Sequence, residues 1–168
     1  MAASADDHQL IGLAQSGDRG ALDALLRRHY DRIWALCRRL SGNDADGQDA
    51  TQEALIAIAR GLRLFDGRAA FTTWSYRVAT NACLDEMRRR SRRPVPAATD
   101  ELPVADPGPL PDHAIERIDI DAALALLPED FRVVVVLRDL CDVEYADIAA
   151  MLGLPPGTVR SRIARGRA

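Results

Sequence analysis

The sequence has no lysine: all 22 basic side chains among its 168 residues are arginine. A GC-rich coding sequence accounts for that bias without any functional demand. The chemistry still counts, because a planar guanidinium fork suits phosphate oxygens and the guanine edge. Aromatics are scarce, at 5%, so any core must be built from Leu, Ala, Val and Ile. The three cysteines, Cys37, Cys83 and Cys141, are far apart and show no CxxC or Cys/His spacing. That excludes a disulfide framework or a zinc ribbon and fits buried, reduced thiols. No apolar run approaches membrane-spanning length. The opening MAASADDHQL lacks a basic-plus-apolar signal region. A soluble, cytoplasmic protein with no membrane contact of its own is the expectation. His8, His29 and His113 are isolated, and no phosphate loop, nucleophile elbow or Gly-rich fingerprint is present. Nothing therefore points to an enzyme, and no metal and no cofactor is expected.

What is present is an uneven charge distribution. The net charge of −3 hides a +5 segment over residues 68–93, a −10 segment over residues 94–147 and a +4 segment over residues 148–168. Two basic patches separated by an acidic stretch suggest two contacts with a polyanion, each on its own module. Residues 94–111, PVPAATDELPVADPGPLP, hold six prolines, which neither a helix interior nor a central strand tolerates. This is an extended acidic linker between a module over residues 1–93 and another over residues 112–168.

Both modules read as helical, so the fold class is all-α: two small helical domains joined by a Pro-rich linker. A short helix is expected around Asp6–Gln15, ended by Gly17. From Arg19 to Leu40, Leu22, Leu25, Leu26, Ile33, Leu36, Cys37 and Leu40 follow three-four spacing, with Asp18 as N-cap and Ser41-Gly42-Asn43 as terminator. A second amphipathic stretch runs from Asp44 to Gly61, with Ala50, Ala54, Leu55, Ile58 and Leu62 on one side. A third begins after Phe71, with Thr72 as its cap, and breaks at Pro94. In the second module Ala114, Ile115, Ile118, Ala122, Leu124 and Leu127 predict a helix. The following run of four valines, Val133–Val136, reads as a strand on propensity alone. No second strand exists to pair with it, and acid before it with base after it suits a helix, so helix is chosen.

Three constellations carry function. The sharpest is EYADIAAMLGLPPGTVRSRIARGRA. Ala149, Gly153 four residues on and Val159 six beyond have helix-turn-helix spacing: a small residue where helices cross, a glycine at the turn, an apolar lock on the second helix. Thr158, Arg160, Ser161, Arg162 and Arg165 then point outward and can reach phosphates and major-groove base edges. The second, DGRAAFTTWSYRVATNACLDEMRRRSRR, interleaves Phe71, Trp74 and Tyr76 with Arg68 and Arg77 and ends in five arginines within six residues. Two readings stand side by side: a stacking platform for unpaired bases, with Asn81 able to read a base edge, or plain core at Trp74 and Val78 followed by a solvated basic end. The third is the face Asp46, Asp49, Gln52 and Glu53 on the second amphipathic helix. With no histidine beside these carboxylates, a solvated or protein-docking face is favoured over acid–base chemistry or metal binding.

Taken in order along the chain, these segments resemble the extracytoplasmic-function (ECF) sigma factors, the specificity subunits of bacterial RNA polymerase. DADGQDATQEALIAIARGL is similar to that family's polymerase-docking helix. FDGRAAFTTWSYRVATNACLDEMRRRSRR is similar to its promoter −10 segment, and LPEDFRVVVVLRDLCDVEYADIAAMLGLPPGTVRSRIARGRA to its −35-reading domain. The resemblance covers the chain from about residue 10 onward. It implies that Asp46, Asp49, Gln52 and Glu53 dock on the clamp helices of the largest subunit of core RNA polymerase. It implies that Asp66, Gly67 and Arg68, with Phe71, hold a base flipped from the −10 element. Trp74, Arg77 and Asn81 are implied to lie along the non-template strand, and Arg88, Arg89 and Arg90 against upstream phosphates. Thr158, Arg160, Ser161, Arg162 and Arg165 are implied to read the −35 element of promoter DNA, and an anti-sigma factor is implied as a regulatory partner. The docking segment departs from the family in carrying Gly47 and Gln48, and family members usually continue the recognition helix for some turns beyond the position of Ala168. An autonomous helix-turn-helix regulator is the alternative; it leaves the second and third constellations unused.

Overall fold

The computed structural model describes residues 6–91 and 120–168, with the side chains of Arg90 and Ser91 outside that description. The expected helix over Ala114–Ile118, the acidic linker and the arginines Arg92 and Arg93 lie outside the described residues.

In the first module local signals set each helix end. Asp6 caps α1 (Asp7–Gln15) by accepting from the amides of His8 and Gln9. Asp18 caps α2 (Arg19–Ser41), accepting from the Ala21 amide at 3.1 Å. Gly42, left-handed at φ 79°, closes α2, its amide bonded to the Arg38 carbonyl. Asn43 caps α3 (Asp44–Gly61) through the Asp46 amide at 2.9 Å, and Asp44 and Asp46 place negative charge on the positive end of that helix. A 3-10 turn, Leu62–Leu64, and an exposed loop lead into α4 (Phe71–Ser91). Helix α4 starts at Phe71, and the Thr72 carbonyl already accepts from the Ser75 hydroxyl inside its first turn. Thr72 is therefore not the cap.

Helices α2, α3 and α4 pack on one another around Leu25, Ile33, Leu36, Cys37, Ala54, Ile58 and Ala79. Gly47 decides how closely α3 crosses α2. A β-carbon there would stand 2.7 Å from the Arg38 α-carbon, which explains why this position of α3 carries no larger residue.

The second module opens with helical residues 120–126, here α5. The valine run is helical: α6 (Glu129–Val135) continues into a π-helical turn, Val136–Leu140. Val133–Leu137 are all buried, which explains the strand-like sequence: a short helix buried on most sides needs no amphipathic alternation. Helix α7 (Tyr145–Leu152) ends at Gly153 with φ 64°, and α8 (Pro156–Gly166) begins on its proline. Ile148, Val159 and Ile163 are sealed from solvent. No strand is present among the described residues.

Candidate nucleic-acid interface

The segment expected to meet the −10 element is built on an aromatic cluster. Phe65, Phe71 and Trp74 pack with ring centroids 5.1–5.9 Å apart, and the His29 ring meets Phe71 edge-on at 4.8 Å. Phe71 is only 6% exposed. Phe71, expected with the loop to hold a flipped base, is the floor under that loop, in the core with His29. Trp74 is half-buried, with its ring lying against Gly61. Arg77 and Asn81 follow it one and two turns along α4, both exposed. The row therefore combines one aromatic edge with a guanidinium and an amide.

Above the floor, loop residues Asp66–Ala70 are exposed. The Arg68 amide donates to Asp66 Oδ1 at 3.1 Å, and the Arg68 guanidinium pairs with Asp66 Oδ2 at 3.1 Å. Gln15 of α1 fastens the loop from below, its Nε2 donating to the Leu62 and Phe65 carbonyls at 2.9 and 2.8 Å. Helix α1 is itself held by Asp7, which accepts from Arg28 and pairs with buried His29, each at 2.8 Å. Partial burial pushes the Asp7 carboxyl up, but the hydrogen bonds from Arg28 and His29 outweigh it, so its pKa lies below the ordinary value. Gln15, His29 and Phe65 are thus parts of the site that sequence reasoning missed. The Phe65-Asp66 step beside the glycine was the one local signal for any of them. Farther along α4, Arg88 and Arg89 are exposed and pair with Asp85 and Glu86, each at 3.3 Å.

On α3, Asp49, Gln52 and Glu53 are exposed and Asp46 is half-exposed, opposite the buried Ala50, Ala54 and Ile58. One turn on from Gln52, Leu55 borders a groove of about 440 Å³ shared with Leu26 and Tyr30 of α2. The face is therefore polar with an apolar trough beside it. Leu26 and Tyr30 share a spacing of four on α2, and the apolar three-four pattern of that helix includes Leu26 but not Tyr30.

In the helix-turn-helix, Arg160, Ser161 and Arg165 of α8 are exposed and Thr158 is half-buried. The Ser161 hydroxyl donates to the Thr158 carbonyl at 3.0 Å. Arg162 stands apart: its guanidinium pairs with Asp130 of α6 at 2.7 Å, and its side chain is 25% exposed. It braces α8 on α6. Arg167 does the same at the helix end, against Asp139. No group of three or more His, Cys, Asp or Glu arranged to hold a metal occurs among the described residues, and no described helix is long and apolar enough to cross a membrane.

A helix-turn-helix with an arginine-bearing second helix, joined in one chain to a helical module with an aromatic–arginine row, defines an all-helical DNA-binding protein. Residues 25–93 match the family Sigma-70 region 2 and residues 117–168 the family Sigma-70, region 4. The chain is 42% identical over 160 residues to the ECF RNA polymerase sigma factor SigE of Mycolicibacterium smegmatis, spanning 90% of this chain and 62% of that protein. It is 40% identical over 162 residues to the ECF RNA polymerase sigma factor SigM of Mycobacterium tuberculosis, spanning 96% of this chain and 81% of that protein. Among solved structures it is similar to the sigma factor RpoE of Bartonella quintana, solved with the anti-sigma factor NepR. That likeness has a TM-score of 0.65 and 24% identity and covers 84% of this chain and 89% of that one. It is also similar to an engineered region 2 of sigmaE solved with GTAAAA, with a TM-score of 0.51 and 32% identity, covering 55% of this chain and 96% of that one. The chain belongs to the ECF RNA polymerase sigma factor family. Membership makes it a transcription-initiation factor and not an enzyme.

Proposed function

We propose that the chain binds core RNA polymerase in the cytoplasm and carries it to promoters with two separate elements. Residues 1–93 act as the docking and −10 domain, residues 94–111 as an acidic strap and residues 112–168 as the −35 domain. Asp46, Asp49, Gln52 and Glu53, with the Leu26–Tyr30–Leu55 trough beside them, dock on the clamp helices of the largest subunit. Asp66, Gly67 and Arg68 hold a flipped base, Trp74, Arg77 and Asn81 take the non-template strand, and Arg88, Arg89 and Arg90 meet upstream phosphates. Thr158, Arg160, Ser161, Arg162 and Arg165 read the −35 duplex, and the pair of Arg162 with Asp130 braces α8 on α6.

The observation that carries this reading is the coexistence, on one chain, of a duplex-reading helix and a separate aromatic–cationic row suited to unpaired bases. A duplex-only regulator has no use for the second. Melting costs a few kcal/mol per unstacked step, and stacking with Arg–phosphate contacts offsets it. With Trp74 the main aromatic presented on the row, melting power is modest and promoter choice correspondingly strict. An anti-sigma factor is the expected inhibitor; the Bartonella quintana relative, solved with NepR, supports it. Run-off transcription with core polymerase on a genomic promoter library tests the function and reads specificity together. Discrete start sites that share two spaced motifs are expected. Transcripts no different from those of core polymerase alone would sink the reading.

A further inference from the structure

We propose that Gln15 is a positioning residue for base choice: with α1 as a strut, it fixes the foot of the Asp66–Ala70 loop and so sets which base that loop accepts. The inference rests on the assignment of the loop to a flipped −10 base.

Gln15 lies 47 positions before Leu62, yet its amide spans the turn that enters the loop. Nε2 donates to the Leu62 carbonyl at 2.9 Å and to the Phe65 carbonyl at 2.8 Å. The Leu62 carbonyl also accepts from the Phe65 amide at 3.1 Å, which closes the 3-10 turn. Both partners of Gln15 are acceptors, so the position calls for a nitrogen carrying two N–H groups. A carboxylate of the same size would set oxygen against oxygen. Asp66 follows Phe65 directly, and its carboxylate accepts from the Arg68 amide and pairs with the Arg68 guanidinium. The peptide plane between Phe65 and Asp66 is rigid, so a shift of the Phe65 carbonyl is passed straight to the Asp66–Arg68 pair. Gly67 turns the loop at φ 73°, and nothing stands within 4 Å of where its β-carbon would be. The tip therefore gains no support there, and its geometry is set from its feet.

The other end of α1 serves the loop's exit. Asp7, in the first turn, accepts from Arg28 and pairs with His29 Nε2, each at 2.8 Å. His29 is only 3% exposed, and its Nδ1 is buried with no hydrogen-bond partner among the described residues. Asp7 is thus the polar group that orients the ring. That ring meets Phe71, on which the loop ends, edge-on at 4.8 Å. Between the two ends, Leu10 is buried in the core. One nine-residue helix holds both feet of the loop: Phe65 through Gln15, and Phe71 through Asp7 and His29. Hydrogen bonds weaken steeply with distance and angle, so slack at either foot carries Asp66 and Arg68 off a base edge.

The experiment is selection by core polymerase carrying the full chain, from a promoter library randomised over the −10 and −35 elements, read as base preference at each position. Wild type is compared with Gln15→Glu, Gln15→Lys and the loop variant Asp66→Ala/Arg68→Ala. Gln15 is exposed, so its substitution should leave the thermal midpoint in place. Gln15→Glu is expected to lower the preference at one −10 position about fivefold, the scale of one lost hydrogen bond, and to leave every other position within about twofold. The position affected should be the one affected in Asp66→Ala/Arg68→Ala. Gln15→Lys, which restores N–H donors, is expected to recover most of the preference. An unchanged profile in Gln15→Glu beside a changed one in the loop variant overturns the proposal alone. An even loss at all positions, or no recovery with lysine, overturns the positioning role. An unchanged profile in the loop variant overturns the base-holding reading beneath it.

Discussion

Trp74 serves two purposes at once. Its inner edge packs on Phe65, Phe71 and Gly61, while the half that stays exposed lines up with Arg77 and Asn81. Base stacking on an aromatic is worth about 1–3 kcal/mol. Trp74→Ala in the polymerase complex should therefore cut permanganate reactivity of the opened −10 region about tenfold or more. Asn81→Ala should cut it too, with the protein's thermal midpoint unchanged, and wild-type reactivity in both would contradict the placement. Phe71→Ala should behave differently. With its ring in the core, the loss should cost about 3–5 kcal/mol of stability, visible as a lower midpoint in thermal melts before any DNA is added. The sequence distinguished Phe71 from Trp74 poorly, since both are aromatics spaced three apart beside arginines. Their difference arises from His29, which is 42 positions before Phe71 in the chain and carried no signal beyond being an isolated histidine.

At the level of elements, the ends of the helices were legible because their causes are local. Asp18, Gly42, Gly153 and Pro156 each act within a turn of their own position. The helix-turn-helix was legible for the same reason. The valine run was ambiguous because propensity does not say whether a partner strand exists; the absence of one elsewhere in the chain, with acid before the run and base after it, favoured helix. The ion pair of Arg162 was not legible because Asp130, its partner, lies on another helix. Two substitutions on α8 separate scaffold from contact. Ile163→Ala removes a fully buried side chain and should cost about 2–5 kcal/mol of stability. Arg165→Ala should leave the melt unchanged, weaken binding to −35 duplex and lower the slope of log affinity against log salt by about 1. An unchanged slope would remove Arg165 from the contact set.

At the scale of the whole molecule, two small helical modules are separated by a proline-rich acidic stretch, and under the proposed function they hold different halves of one task. The two basic patches in the sequence coincide with the aromatic–arginine row and with α8, and the acidic stretch over residues 94–147 between them includes Glu144 and Asp147, which line clefts beside the row. What the sequence did not reveal is that the modules touch, since the paired Asp121 and Arg38 are 83 positions apart. The outward acidic face of α3 is assigned to polymerase under the proposed function. The most direct measurement is therefore gel filtration of the purified protein with core RNA polymerase at low salt, in wild-type form and as Asp49→Ala/Glu53→Ala. The wild type should co-elute in equimolar ratio and the double variant should shift to the free position while keeping its helical melt. Separate elution of the wild type would contradict the account.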